Sequence, residues 1–184
     1  MVEPREKRKT SKSETLTIRL DPKTRFMLEF MARRRGQTIT TVVERAITDA
    51  AGRERIRKAE NFYEDWKDFW NVIEGIRSLR IAQEPELFPT YEEERRLQFS
   101  TTHWPFFYHS SDCEQFVTHY IEVLWPRIDE WIDIFDETKA LNYFEAGQRM
   151  QEALRGASLR APDWPVKTFD ESIRGGPDDN EAPF

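Results

Sequence analysis

The chain has 184 residues, of which 34% are charged and 13% aromatic, and its formal net charge is −6. This length allows one large or two modest domains, and the aromatic content excludes a wholly disordered chain. The single cysteine, Cys113, excludes an internal disulfide, and the absence of a signal-peptide pattern, a membrane-spanning apolar run or a lipidation motif predicts a cytoplasmic protein without membrane contact.

The charges are distributed unevenly along the chain. Residues 1–58 hold 16 lysines and arginines against 8 acidic residues, whereas residues 59–184 hold 12 against 26. Charges more than about 8 Å apart are largely screened at physiological salt, so the local field of the basic end decides whether a polyanion binds there. We interpret residues 1–14 as a basic flexible arm; a plain solubilising tail is the alternative.

Residues 15–20 alternate polar and apolar side chains, which predicts a β-strand with two different faces. The apolar face would carry Leu16, Ile18 and Leu20, and the polar face Thr15, Thr17 and Arg19. No second run of this quality follows within the next forty residues, and a lone strand leaves its backbone unpaired. We therefore expect this strand to pair with the same strand of a second copy.

Two helices are predicted directly after the strand. Asp21 and Pro22 suit the start of the first, and Gly36 follows Arg33, Arg34 and Arg35 as its stop. Thr38 is placed to cap the second helix, whose apolar stripe comprises Val42, Val43, Ala46 and Ile47.

The segment TLTIRLDPKTRFMLEFMARRRGQTITTVVERAI resembles the ribbon-helix-helix family of DNA-binding proteins, and residues 15–52 would form this domain. The resemblance implies that two chains intertwine and that their paired strands enter the major groove of double-stranded DNA. It implies a dimer core that includes Leu16, Ile18, Leu20, Val43 and Ile47.

The same resemblance implies the DNA contacts. Thr15, Thr17 and Arg19 would contact bases, and Arg19 is favoured because a guanidinium can bond guanine O6 and N7 together. The start of the second helix and the arm would contact phosphates through Thr38, Ile39, Thr40, Lys7, Arg8, Lys9 and Lys12. Alternatively, the threonines are ordinary strand formers on a solvated face and Thr38 is only a helix cap.

Residues 53–160 predict an aromatic-rich helical domain without strands. Phe62, Trp66, Phe69, Ile73 and Ile76 have helical spacing, which predicts one helix from Arg53 to about Ile81. We expect a short charged helix after Thr90, a helix opened by a Ser111–Glu114 capping box, another after Pro126, and a last helix from about Thr138 to Leu154.

Residues 161–184 are rich in proline, glycine and acidic residues and predict a disordered tail, in which anchors such as Trp164 and Phe169 could still dock in a groove.

Five residues that lie close in sequence are candidate metal ligands: His103, His109, Cys113, His119 and Glu122. Their spacing matches no closed zinc pattern, so we predict neither a metal nor another cofactor. No phosphate loop or nucleophile–base pair is visible, and we expect no enzyme.

Together these features predict a homodimeric, sequence-specific DNA-binding protein that regulates transcription, with a possible protein partner at its helical domain or tail. Three alternatives stay open: an antitoxin that represses its own operon, a plasmid partition or transfer accessory protein, and a protein-interaction scaffold in which the ribbon serves only dimerisation.

Overall fold

A computed structural model of the protein describes residues 15–166, and the chain divides into two compact units between Val72 and Ile73. The described part is mainly helical, as the sequence predicts for the fold class, and it also contains one small antiparallel sheet that was not predicted. The division lies later than the predicted boundary at residue 52, because a short hairpin and helix belong to the first unit.

The first unit contains α1 (Pro22–Arg35), α2 (Ile39–Ala51), β1 (Ile56–Ala59), β2 (Phe62–Glu64) and α3 (Trp66–Phe69). The second unit contains α4 (Glu74–Ala82), α5 (Tyr91–Thr102), α6 (Thr118–Leu124), α7 (Ile128–Thr138) and α8 (Glu145–Gly156). Single 3-10 turns lie at Pro85–Leu87, Trp104–Phe106 and Trp125–Arg127.

Three of the helix starts predicted from local capping signals are confirmed, those at Asp21, Thr38 and Thr90. The Asp21 carboxylate accepts hydrogen bonds from the amides of Lys23 and Thr24 at 2.9 and 3.1 Å, and Thr38 Oγ1 accepts one from the Thr41 amide at 3.1 Å. Thr90 and Glu93 form the expected capping box of α5. Gly36 ends α1 in the left-handed region with φ 61°, a conformation that favours glycine.

The single helix predicted from Arg53 to Ile81 is wrong. Residues 56–64 form a hairpin in which Arg57 pairs with Tyr63, and α3 and α4 follow as separate helices. The turn-forming Asn61 and the strand-favouring Phe62 and Tyr63 explain the hairpin, and Asp65 starts α3 with a capping box. Local turn and capping chemistry therefore overrides the helical spacing of the aromatic residues.

Two further helix starts differ from the prediction. The helix expected at Ser111 begins at Thr118, because Asp112 accepts bonds from Ser110 and Glu114 in a turn and Tyr108 then pairs with Phe116 in an isolated bridge. The helix expected at Thr138 begins at Glu145. Thr138 instead ends α7, where its hydroxyl donates to the Ile134 carbonyl at 2.7 Å.

The core of the second unit lies where its five helices meet the aromatic turn after α5. Its fully buried side chains include Leu79, Phe106, Phe107, Tyr108, Ile121, Leu124, Met150 and Leu154. Gly75 allows α4 to approach this core closely: a Cβ atom there would lie 2.5 Å from Ile121 Cγ2 and 2.6 Å from Trp125 Cδ2. Any larger residue at position 75 must therefore displace packed side chains.

Two arginines of α5 link it to α7. Arg96 makes a bidentate pair with Asp129, with distances of 2.9 and 2.8 Å, and Arg95 contacts Asp133 at 3.0 Å and Asp136 at 2.9 Å. The hydrogen bond with Arg96 is the main factor that lowers the pKa of Asp129. These pairs fix the α5–α7 contact beside the aromatic core.

The described start of the predicted tail packs on the second unit through Trp164, one of the residues expected to serve as an anchor. Trp164 stacks on His103 with ring centroids 5.1 Å apart, and its indole N–H donates to the Phe144 carbonyl at 3.1 Å. A Cβ atom on Gly147 would lie 2.1 Å from Trp164 Nε1, so the glycine makes room for the indole. Residues 167–184, with the expected anchor Phe169, lie outside the described part.

Candidate nucleic-acid interface

Residues 15–20 precede α1 without forming a strand within one chain. A β-ladder needs a second strand, and no described segment of the same chain pairs with them. Thr15, Thr17 and Arg19 are all exposed, which leaves them accessible to a ligand. The pairing of this segment between two copies stays a prediction.

The apolar side chains assigned to a dimer core are largely uncovered in one chain. Leu16 is 77% exposed, Ile18 56% and Leu20 43%, while Ile47 on α2 is 57% exposed. Val43 is partly buried. The described core shared by α1 and α2 contains only two fully covered apolar residues, Ala32 and Val42. A domain this small needs more buried apolar surface than it has alone.

The start of α2 has the geometry of an anion site. Thr38 caps the amide of Thr41, and its hydroxyl also lies 2.9 Å from the Thr41 hydroxyl. The amides of Ile39 and Thr40 lie in the first helical turn, where no intrahelical acceptor exists. Thr38, Ile39 and Thr40 are exposed, so the positive end of the helix dipole faces accessible space.

Charges around the two helices fit this arrangement. Hydrogen bonds from Thr24, first from its hydroxyl, lower the pKa of Asp21, so the acid that follows the segment is held ionised as a helix cap. Arg33, Arg34 and Arg35 are exposed in the last turn of α1. The phosphate contacts expected from the arm, at Lys7, Arg8, Lys9 and Lys12, lie outside the described residues.

One of the histidines considered for a metal site, His103, packs in the core of the second unit. His103 is fully buried, donates through Nδ1 to the Phe99 carbonyl at 3.1 Å and stacks on the Phe99 ring. Burial lowers its pKa to about 4, against a smaller opposing effect of that hydrogen bond. Among the described residues, no group of three or more histidine, cysteine, aspartate or glutamate side chains is arranged to hold a metal.

Cys113 is a partly buried free cysteine in the same region. Burial, followed by the charge of Asp112, raises the pKa of its thiol, which keeps the sulfur protonated at neutral pH. Its Sγ donates weakly to the Ser111 carbonyl at 3.7 Å, and the residue adopts φ 58° in the turn before α6.

Four exposed aromatic residues, two on α1 and two in the hairpin, have no role in the functional prediction from sequence. Phe26 and Phe30 recur at helical spacing with Met27 and Met31, and they are 66% and 60% exposed. No sequence signal marks them as exposed, because apolar residues surround α1 and only the structure shows that Ala32 is buried. The exposed aromatic residues of the hairpin, Phe62 and Tyr63, were missed because a helix was predicted there.

None of the helices in residues 15–166 combines the length and apolar composition needed to span a bilayer. Comparison with known proteins gives no match: no protein-family model, no curated protein and no solved structure is detectably similar to this chain.

Proposed function

We propose that the protein is a homodimeric, sequence-specific DNA-binding regulator of transcription with a ribbon-helix-helix arrangement, acting in the cytoplasm. The observation that carries this proposal is the exposed segment before α1. Its apolar side chains Leu16 and Ile18 are largely exposed to solvent in one chain. The polar side chains Thr15, Thr17 and Arg19 alternate with them along the segment.

A second copy satisfies both requirements of this segment. Antiparallel pairing of two such strands gives each backbone a hydrogen-bonding partner and places Leu16, Ile18 and Leu20 on one shared face. The same pairing brings two sets of threonine and arginine side chains onto the opposite face. A two-stranded ribbon of this width fits the major groove of B-form DNA.

The capped start of α2 supports the DNA-bound orientation. Its free amides at Ile39 and Thr40 can each donate to a phosphate oxygen, and such contacts fix the register of a protein on the duplex. The arm, with Lys7, Arg8 and Lys9, would add contacts that do not depend on base sequence.

Replacing Arg19 by alanine tests the proposed division between base and phosphate contacts. DNA bound by the full chain is first selected from a random pool, and affinities for the enriched duplex are then measured by fluorescence anisotropy. Arg19→Ala is expected to weaken binding by about 1–3 kcal/mol and to reduce discrimination against mismatched sites. Arg25→Ala is the matched control because Arg25 is an exposed arginine paired with Glu29 at 3.1 Å, and the loss of an exposed pair has little effect.

A triple change of Lys7, Arg8 and Lys9 to alanine should weaken binding to every duplex and flatten its salt dependence, without changing the preferred sequence. The proposal is contradicted if no duplex is enriched, or if Arg19→Ala leaves both affinity and sequence preference at the level of the Arg25→Ala control. The scaffold alternative predicts that second outcome.

A further inference from the structure

Helix α1 has two apolar faces, and only one of them packs within the first unit. Ala32 is 7% exposed and lies on the face that contacts α2. Phe30 and Phe26 lie away from this face, since they are about 160° and about 120° from Ala32 around the helix. We call the face formed by Lys23, Phe26, Phe30, Arg33 and Arg34 the outer face of α1.

The two phenylalanines of the outer face form a pre-arranged apolar surface. They are one helical turn apart, their ring centroids are 6.5 Å apart and their planes are inclined by 28°. Both rings are more than half exposed. A hollow of about 310 Å³ lies along the same flank, lined by Thr24, Phe26, Met27, Leu28, Phe30 and Met31. This volume is at the lower end of the ~300–1,000 Å³ range of ligand pockets and suits a large apolar side chain.

The outer face is bordered by cations. Lys23 lies three residues before Phe26, and Arg33 and Arg34 lie three and four residues after Phe30, so all three share this side of the helix. The nearby acid Glu29 is paired with Arg25 at 3.1 Å. Within the described residues, Lys23, Arg33 and Arg34 form no ion pair, so their charge is available to a partner.

We propose that the outer face of α1 docks an acidic protein segment with apolar anchors at helical spacing. The anchors would cover Phe26 and Phe30, and carboxylates on their flanks would meet Lys23, Arg33 and Arg34. An amphipathic helix laid along an apolar surface supplies this combination. The site uses none of the residues assigned to DNA contact, so its test is independent of DNA binding.

Charge distinguishes this occupant from two others. Face-to-face pairing with the outer face of a second copy would place lysine and arginine side chains against one another, and like charges across an interface are unfavourable. Duplex DNA would satisfy the cations but would leave the two stacked rings without an apolar contact. An acidic amphipathic segment satisfies both the rings and the cations.

Two synthetic helical peptides test the proposal on the full chain. Both carry leucine and phenylalanine at positions i, i+3, i+4 and i+7; one has glutamate at the remaining positions and the other has lysine. Fluorescence anisotropy is expected to show binding of the glutamate peptide at least about tenfold tighter than that of the lysine peptide. The double variant Phe26→Ser/Phe30→Ser should lose this binding at least about tenfold, and so should Arg33→Glu/Arg34→Glu.

The control variant is Phe62→Ser, which removes another phenylalanine that is 57% exposed and should leave peptide affinity unchanged. Circular dichroism and the molar mass in solution verify that each variant keeps its fold and oligomeric state. The proposal is overturned if the two peptides bind equally. It is also overturned if Phe26→Ser/Phe30→Ser binds the glutamate peptide like the unmodified chain, because the peptide would then bind basic residues elsewhere. A change of oligomeric state in that double variant would also overturn it, because the face would then belong to the contact between copies.

Discussion

Ile18→Asp is expected to convert the proposed homodimer into monomers. In one chain Ile18 is 56% exposed. In the proposed ribbon the corresponding strand of a second copy packs against it and buries it. The substitution would bury one unpaired carboxylate from each copy in the shared core, at a cost on the order of 4 kcal/mol or more, which is about a thousandfold in the dissociation constant. Sedimentation equilibrium across a concentration series measures the change directly.

Thr17→Asp provides the matched control, because Thr17 is the adjacent residue and belongs to the other face of the proposed strand. This variant should stay dimeric and lose DNA binding, since its carboxylates would face the phosphates and base edges. The Ile18→Asp variant should keep a folded second unit, which shares no residue with the ribbon. Dimers of undiminished stability in Ile18→Asp would rule out the proposed pairing.

The second unit is expected to lose stability in mild acid because of His103. Its pKa is about 4 in the folded chain and about 6.5 when unfolded, so the unfolded state binds the extra proton first as pH falls. The contribution of His103 to the free energy of unfolding is fully present above pH 6.5. It decreases by roughly 3 kcal/mol in total as pH falls from there toward 4. Urea unfolding at several pH values between 7.5 and 4 measures this slope.

His103→Phe should flatten the pH dependence, since phenylalanine can stack between Phe99 and Trp164 without a titrating group. His119→Phe changes an exposed histidine in α6 and serves as the control that keeps the slope of the unmodified chain. Carboxylates such as Asp129 contribute equally to both variants, so the difference between them isolates His103. Identical slopes in the two variants would show that His103 is not the source.

The elements predicted correctly are those specified by local chemistry. Asp21, Thr38 and Thr90 each cap a helix through a hydrogen bond to an amide two or three residues later, and Gly36 supplies a left-handed stop. Such signals involve only neighbours in the chain, so the sequence alone reveals them.

The errors arise where two local signals conflict or where tertiary contacts decide the outcome. The aromatic and aliphatic residues from Phe62 to Ile76 have helical spacing, which predicts one long helix. The same segment contains turn and capping residues that favour a hairpin and a new helix start, and the structure follows these. Apolar residues surround α1, so its sequence does not reveal which side meets α2 through Ala32. Trp164 packs against residues 103, 144 and 147, and such distant contacts cannot be read from composition.

The residues proposed to contact DNA are predicted from pattern and resemblance, and the structure shows where they lie in one chain. Thr38, Ile39 and Thr40 lie together at the start of α2, and Thr15, Thr17 and Arg19 lie exposed before α1. In the proposed ribbon each strand's hydrogen-bonding partner belongs to another copy, so a single chain cannot form it.

Distances between paired spin labels test the ribbon most directly. Single cysteines are introduced in turn along residues 15–20 of a Cys113→Ser chain, labelled with a nitroxide and measured by electron paramagnetic resonance, with and without the selected duplex. In an antiparallel ribbon, the distance between equivalent labels rises by about 6.6 Å for each residue away from the two-fold axis, twice the rise of a strand. Plotted against residue number, the distance between labels is expected to have a V-shaped profile with its minimum within residues 15–20. A constant distance, or no coupling between labels at any position, would contradict the proposed ribbon.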